Sequence, residues 1–198
     1  MATGYRAFRT WRGTVADRMG RIETGSVHGR FQPFHNGHLD YVLQAFDRAE
    51  KIKIGLTQIF RPRDRVGDLS RDRISSNPLA YWERAKLIEA ALHDSGVVRE
   101  RFEFIPFPIE FPERISEFLP NSVTCFTTVV SPWNEEKIAR LEAEHYPVSK
   151  LEVSLPDNNR VTSGSEIRKL IRENDVSWVR YVPPIVSELI RDNFLQRF

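Results

Sequence analysis

The chain has 198 residues, 28% of them charged and 40% hydrophobic, with a formal net charge of only +2. That length suits one domain with a real core, and the near-balance of charge gives no global basic field of the kind that grips nucleic acid. The single cysteine, Cys125, excludes an intrachain disulfide framework and a thiolate metal cluster, and no apolar run approaches the roughly 20 residues that span a bilayer.

Residues 1–23 are basic and weakly periodic, and read as an N-terminal extension ahead of a domain over 24–198. Arginines without an apolar core there predict no secretory signal, so a cytoplasmic chain is the expectation. SVHGRF (26–31) reads as a buried strand. Asn36 to about Glu50 carries Leu39, Val42, Leu43 and Phe46 at the spacing of one helix face. Residues 51–57 alternate as a second strand. A long loop follows, with an arginine-rich run over 61–73 that is either solvated or meets an anionic ligand. Pro78 suits a helix start, and the helix is expected to run to about Asp94 with Trp82, Ala85, Ile88 and Leu92 on one side. Strands are expected at 102–106, 123–130 and 148–153. Helices are expected at 113–118, 134–145, 163–172 and 184–194, with Trp178 packed in the core. Alternating strand and helix predict an α/β fold: a doubly wound, Rossmann-like parallel sheet of five strands with helices on both faces. Ligands then bind at the carboxyl ends of the strands, where strand order reverses.

The stretch GRFQPFHNGH (29–38) lies at the carboxyl end of the first strand. Asn36 is a good N-cap residue, so a helix is expected to open at Gly37 and His38. Free amides and the helix dipole favour an anion there. Gly37 permits close approach, Arg30 adds a guanidinium with a fork suited to phosphate, and His35 and His38 flank the turn. Zinc would need a third ligand that the stretch lacks. A polyphosphate site is the better reading. Ser163, Gly164 and Arg168 repeat the logic: a capping hydroxyl, a close-approach glycine and an arginine one turn in.

His35-Asn36-Gly37-His38 is similar to the HxGH signature of the nucleotidylyltransferase superfamily, and Ser163-Gly164-Ser165-Glu166-Ile167-Arg168 resembles its second signature, with Ser165 in place of threonine. Asn77-Pro78 with Glu83-Arg84, the run GRFQPFH, Trp178 and Val182-Pro183 resemble archaeal-type nicotinamide mononucleotide adenylyltransferases. Together these span about residues 24–190 in the family's order. The resemblance implies catalytic roles for His35, His38 and Arg168. It implies nucleotide contacts from Gly29, Arg30, Phe31, Gly37, Ser163, Gly164 and Ser165, and Mg²⁺ as cofactor with no metal-ligating side chain. Class I aminoacyl-tRNA synthetases share a related element, but the chain is too short and lacks their lysine loop.

The implied reaction moves AMP from ATP to a phosphorylated acceptor such as nicotinamide mononucleotide, releasing pyrophosphate. The alternatives are a cytidylyl- or adenylyltransferase for a sugar, polyol, phosphonate or nucleotide-analogue acceptor, and a non-catalytic nucleotide sensor. Acceptor contacts are implied at Asn77, Arg84, Ile115, Trp133 and Asn134. The departures from the family pattern cluster there. Ile115 stands at the family's stacking tryptophan, Ser131-Pro132-Trp133-Asn134 replaces a serine-glycine-asparagine turn, and Ala80 replaces a threonine-like residue. The expected partners are therefore ATP or CTP and a small phosphorylated acceptor, with no nucleic acid and no membrane, in a homo-oligomer.

Overall fold

A computed structural model describes residues 20–60, 74–129, 132–152 and 163–198. The extension before residue 20 and the arginine-rich run 61–73 lie outside the described residues. The elements are β1 (Ile22–Gly29), α1 (Asn36–Arg48), β2 (Ala49–Leu56), α2 (Tyr81–Asp94), β3 (Phe102–Pro106), β4 (Thr124–Thr128), α3 (Pro132–Ala143), β5 (Val148–Leu151), α4 (Gly164–Arg172) and α5 (Pro184–Leu189). All five strands pair in parallel, in the order β3-β2-β1-β4-β5. The chain leaves β1 toward β2 and later returns to lay β4 on the other side of β1. The switch in strand order therefore falls between β1 and β4, where crossover helices diverge and leave a crevice.

The pleat sorts residues onto two faces. Val27, Ile52, Ile54 and Phe126 join Leu39, Val42 and Phe46 of α1, Leu87 and Ile88 of α2, Ile167 of α4 and Val186 of α5 in the larger apolar cluster. Trp178 is buried in that cluster, as its sequence context suggests. Ile105, Phe107 and Cys125 face the other way and pack with Ile115 and with Leu141 of α3. Helices cover both faces, which accounts for strands that read as near-continuous apolar runs.

Several boundaries differ from the sequence expectation. The strand expected at 26–31 begins earlier, at Ile22, and stops at Gly29. The helix expected from Pro78 opens only at Tyr81. Its delay has a cause: the Gln32 side chain takes both backbone groups of Leu79, donating Nε2–H to the carbonyl at 2.8 Å and accepting the amide at 3.0 Å. Trp82 faces outward, 59% exposed, against the edge of Phe194. It sits about 120° round the helix from Ile88, at roughly 100° per residue. The helix expected at 113–118 is a 3₁₀ segment, Pro112–Glu117. Beyond Leu189 the last helix widens into a π-helical turn, Ile190–Phe194, that keeps both end residues buried.

Candidate active site

The crevice is built first by a strained turn. Phe31 adopts a left-handed backbone with φ of 53°, costly for a residue with a Cβ, and is buried. Gly29 makes this possible, because a Cβ there would stand 3.0 Å from the Phe31 ring. The ring packs against Phe34 and edge-on to His38, with centroids 4.9 Å apart. Phe31 was expected to touch nucleotide; its side chain is instead the wedge beneath the histidines.

Helix α1 is capped by His35 and not, as expected, by Asn36. The His35 ring accepts the backbone N–H of His38 at 3.3 Å, and the His38 ring accepts the backbone N–H of His35 at 3.4 Å. Asn36 reaches elsewhere, donating to the Arg180 carbonyl at 3.0 Å. Both imidazoles accept through Nδ1, so the proton of each neutral ring sits on Nε2. The rings stack at 3.5 Å. Burial pushes His35 down to about 3 and holds His38 well below the ordinary histidine range; the close His35 ring and the charges of Arg30 and Lys137 lower His38 further, against a backbone hydrogen bond at Pro33 that raises it. Two neutral N–H donors thus stand at the opening of a helix, with Gly37 between them.

The late motif is joined directly to the early one. Arg168 donates Nη1–H to the Gln32 carbonyl at 2.5 Å and Nη2–H to Ser165 Oγ at 3.1 Å. Ser163 caps α4, accepting the Glu166 amide at 3.3 Å. Gly164 lies so close to the first motif that a Cβ there would stand 2.7 Å from the Gln32 carbonyl oxygen. His35, His38, Arg168, Arg30 and the Ser163–Ser165 turn therefore share one end of the sheet. Burial first, then the neighbouring charges of Arg30 and Arg172, lowers Arg168 to about 10. Cations crowded together with burial on top make a strong field for an anion.

The expected acceptor residues divide. Arg84 is no ligand contact in this structure: it is 1% exposed, and its guanidinium donates to the carbonyls of Arg30, Thr57 and Gln58 at 2.8, 2.7 and 2.9 Å. It binds the ends of β1 and β2 together from beneath. Asn77 is buried beside the Gln32–Leu79 clamp. Ile115 is sealed at 0% exposure in the second apolar cluster, so its side chain offers no surface to an acceptor. Trp133 and Asn134 stand half-buried in the first turn of α3, on the β4 side of the crevice. The Arg140 guanidinium lies 5.2 Å over the Trp133 ring and donates to the Ile109 carbonyl at 3.0 Å.

Three buried polar residues near the crevice are given no role in the sequence reading. Gln32 lies inside the GRFQPFH run, but nothing local signals that it meets both Arg168 and Leu79. His28 and Lys137 are buried polar side chains on β1 and α3, and neither belongs to a motif.

The buried histidines make acid sensitivity a property of the site. Their folded values lie below the ordinary 6.5, so the unfolded chain takes up protons first as pH falls. Stability is full above about pH 6.5 and declines below it, by about 1.4 kcal/mol per pH unit for each fully coupled histidine. Denaturant titrations from pH 7 to 5 are expected to show that decline. His35→Asn, which keeps a capping side chain, is expected to lower the slope by about one proton; an unchanged slope would show that His35 is protonated in the fold.

A model of the family described as Cytidylyltransferase-like matches residues 27–170, which holds both motifs. Phosphonoformate cytidylyltransferase of Streptomyces viridochromogenes is 34% identical over 171 residues, covering 85% of this chain and 91% of that protein. Nicotinamide-nucleotide adenylyltransferase 1 of Sulfolobus acidocaldarius is 27% identical, covering 83% of this chain and 86% of that one. Among solved structures, a bifunctional NMN adenylyltransferase/ADP ribose pyrophosphatase from Francisella tularensis superposes with a TM-score of 0.64 at 17% identity. It shares the fold over 88% of this chain, which spans about half of that protein (52%). The matched span, the paired histidines over a helix opening and the Arg168 bridge agree: the chain belongs to the Cytidylyltransferase-like family and is a nucleotidyltransferase.

Proposed function

We propose that the chain transfers a cytidylyl group from CTP to a small phosphonate or phosphate acceptor, releasing pyrophosphate. The observation that carries the triphosphate site is the meeting of the two motifs, with Arg168 bonded to the Gln32 carbonyl at 2.5 Å. The choice of CTP and a phosphonate rests on the relative at 34% identity, against 27–29% for the adenylyltransferases. It rests also on Ile115, which is aliphatic and sealed where the resemblance implied a ring-stacking tryptophan. The second reading, adenylyl transfer to nicotinamide mononucleotide, is favoured by the Asn77-Pro78 and Glu83-Arg84 block and by several archaeal relatives of that name.

In this reading an acceptor oxygen attacks the α-phosphorus in line. A phosphorus–oxygen bond forms on one side while the bond to the β-phosphate breaks, and pyrophosphate leaves with its electron pair. The attacking oxyanion is already nucleophilic, so the protein supplies position and charge. The Nε2–H groups of His35 and His38 donate to the α-phosphoryl oxygens, where negative charge gathers. Arg30 lies at the reacting phosphates. The amides and hydroxyls of Ser163–Ser165 and the Arg168 guanidinium hold the β- and γ-phosphates. Each such donor contributes about 3 kcal/mol to the transition state. Among the described residues no group of three His, Cys, Asp or Glu side chains stands together to hold a metal ion. Mg²⁺ is proposed to enter with the triphosphate it neutralises, keeping phosphate and water oxygens as most of its ligands.

Three measurements test this. His38→Ala is expected to lower kcat about a hundredfold or more, with its circular dichroism unchanged; near-normal turnover removes the role given to it. Gly164→Ala ordinarily favours a helix, yet here the new methyl meets the Gln32 carbonyl. A fall in kcat/KM for the triphosphate of about ten- to a hundredfold is expected from the displaced turn, and unaltered kinetics would part the two motifs. Pyrophosphate release across a panel of triphosphates and acceptors decides the substrate. Release with CTP and small phosphonates is expected, whereas release confined to ATP with nicotinamide mononucleotide selects the second reading.

A further inference from the structure

The α3 side of the sheet centre is polar where a core is expected. On the opposite face Val27, Ile54 and Phe126 are apolar. On this face stand Ser26 and His28 of β1 and Thr127 of β4, at 0%, 2% and 0% exposure. Cys125 pairs in register with Ser26, and Thr127 follows it two residues later on the same face. Both ring nitrogens of His28 and the hydroxyl of Ser26 are buried without a hydrogen-bond partner among the described residues. Orphaned polar groups of this kind are costly unless something completes them.

The His28 ring is held firmly. It stacks on Phe107 at 4.3 Å with the planes within 1°. Gly55 of β2, paired in register with His28, allows this: a Cβ there would stand 2.7 Å from the Phe107 ring. The geometry fixes where the imidazole lies, yet among the described residues gives it nothing to bond.

Lys137 of α3 lies one turn before Leu141, which packs on this same face with Phe107 and Cys125. It is 7% exposed and has no ion pair or hydrogen bond among the described residues. Burial lowers it to about 8, which still leaves most of the ammonium charged at neutral pH. The group coupled to it, Cys125, is pushed up to about 12 and stays a neutral thiol. The Lys137 charge is felt at His28 and at His38, which ties this cluster to the reacting end of the crevice. A buried ammonium, an imidazole and a hydroxyl with open bonds fit a small anion. They do not fit the positively charged ring of nicotinamide mononucleotide, which the ammonium would repel.

We propose that Lys137 and His28 form the acceptor-end pocket, and that this pocket reads a carboxylate carried by the small phosphonate or phosphate acceptor. The inference deepens the reading of transfer to such an acceptor and rests on it. Lys137 then acts in specificity: it holds the far end of the acceptor and leaves the phosphonate at the histidines.

The test compares phosphonoacetate with methylphosphonate, which share the phosphonate and differ in the carboxylate, by calorimetric titration of the full chain with CTP present. The wild type is expected to bind phosphonoacetate at least tenfold more tightly. Lys137→Met is expected to abolish that preference and leave methylphosphonate affinity within twofold. It is also expected to raise the melting temperature of the ligand-free protein, because an uncompensated buried charge is removed. The wild-type comparison stands without any variant. Equal affinity for the two ligands, binding of neither, or a preference that survives in Lys137→Met would overturn the pocket. Failure of the underlying reaction looks different: the preference persists while CTP and phosphonates release no pyrophosphate. Equal turnover of the two phosphonates would sink the pocket and keep the reaction.

Discussion

One bond organises the reactive end of this molecule. Arg168 donates to the carbonyl of Gln32 across 136 residues of chain, and no local propensity could bring those segments together. A carbonyl that receives a guanidinium loses freedom to move, and so does the turn that carries it. The same Gln32 uses its side-chain amide to hold Leu79. A single residue therefore ties the paired histidines, the late arginine and the start of α2 to one point. Phosphoryl-transfer chemistry asks for little else from a protein than that its donors be held in place before substrate arrives.

That bond also explains the strain around it. Phe31 sits in a backbone region that only glycine enters freely. Gly29 and Gly164 each stand where a methyl group would collide, one with a ring and one with a carbonyl. These residues trade local comfort for close approach. Arg84 makes up part of the loss from below, with three carbonyls of the β1 and β2 ends on one guanidinium. In the sequence, Arg84 looked like a candidate for substrate contact. In the fold it is a clamp, and this difference follows from its burial, which no motif reveals.

How much was legible depended on whether the signal was local. Strand and helix alternation is a local pattern, so the parallel five-stranded sheet could be read before any coordinates. The two helix-opening turns were legible for the same reason, since caps, glycines and arginines act within a few residues. The N-cap was misplaced by one residue. Asparagine is the better general capper, but here the reciprocal bonds between two imidazoles outcompete it. Gln32, Ile115 and Lys137 were missed or misread because their roles depend on what the fold stacks over them. Ile115 and Lys137 sit on the α3 side of the sheet, where strand order switches and neighbours in space are far apart in sequence.

The electrostatics of the crevice follow from that switch. Arg30 lies close enough to Arg168 to lower its affinity for protons, and burial lowers that of Lys137 on α3. Arg168 and Lys137 are both desolvated by burial, which a folded chain tolerates only at a cost. Their retention makes sense if a polyanion completes them. The triphosphate would neutralise the arginines at the β1 end, and a second, smaller anion would satisfy the ammonium under α3. The histidines between stay neutral, because burial and their mutual cap forbid two more positive charges there. Neutral donors flanked by fixed cations favour charge that migrates from one anion to the other, and that is what transfer of a nucleotidyl group requires.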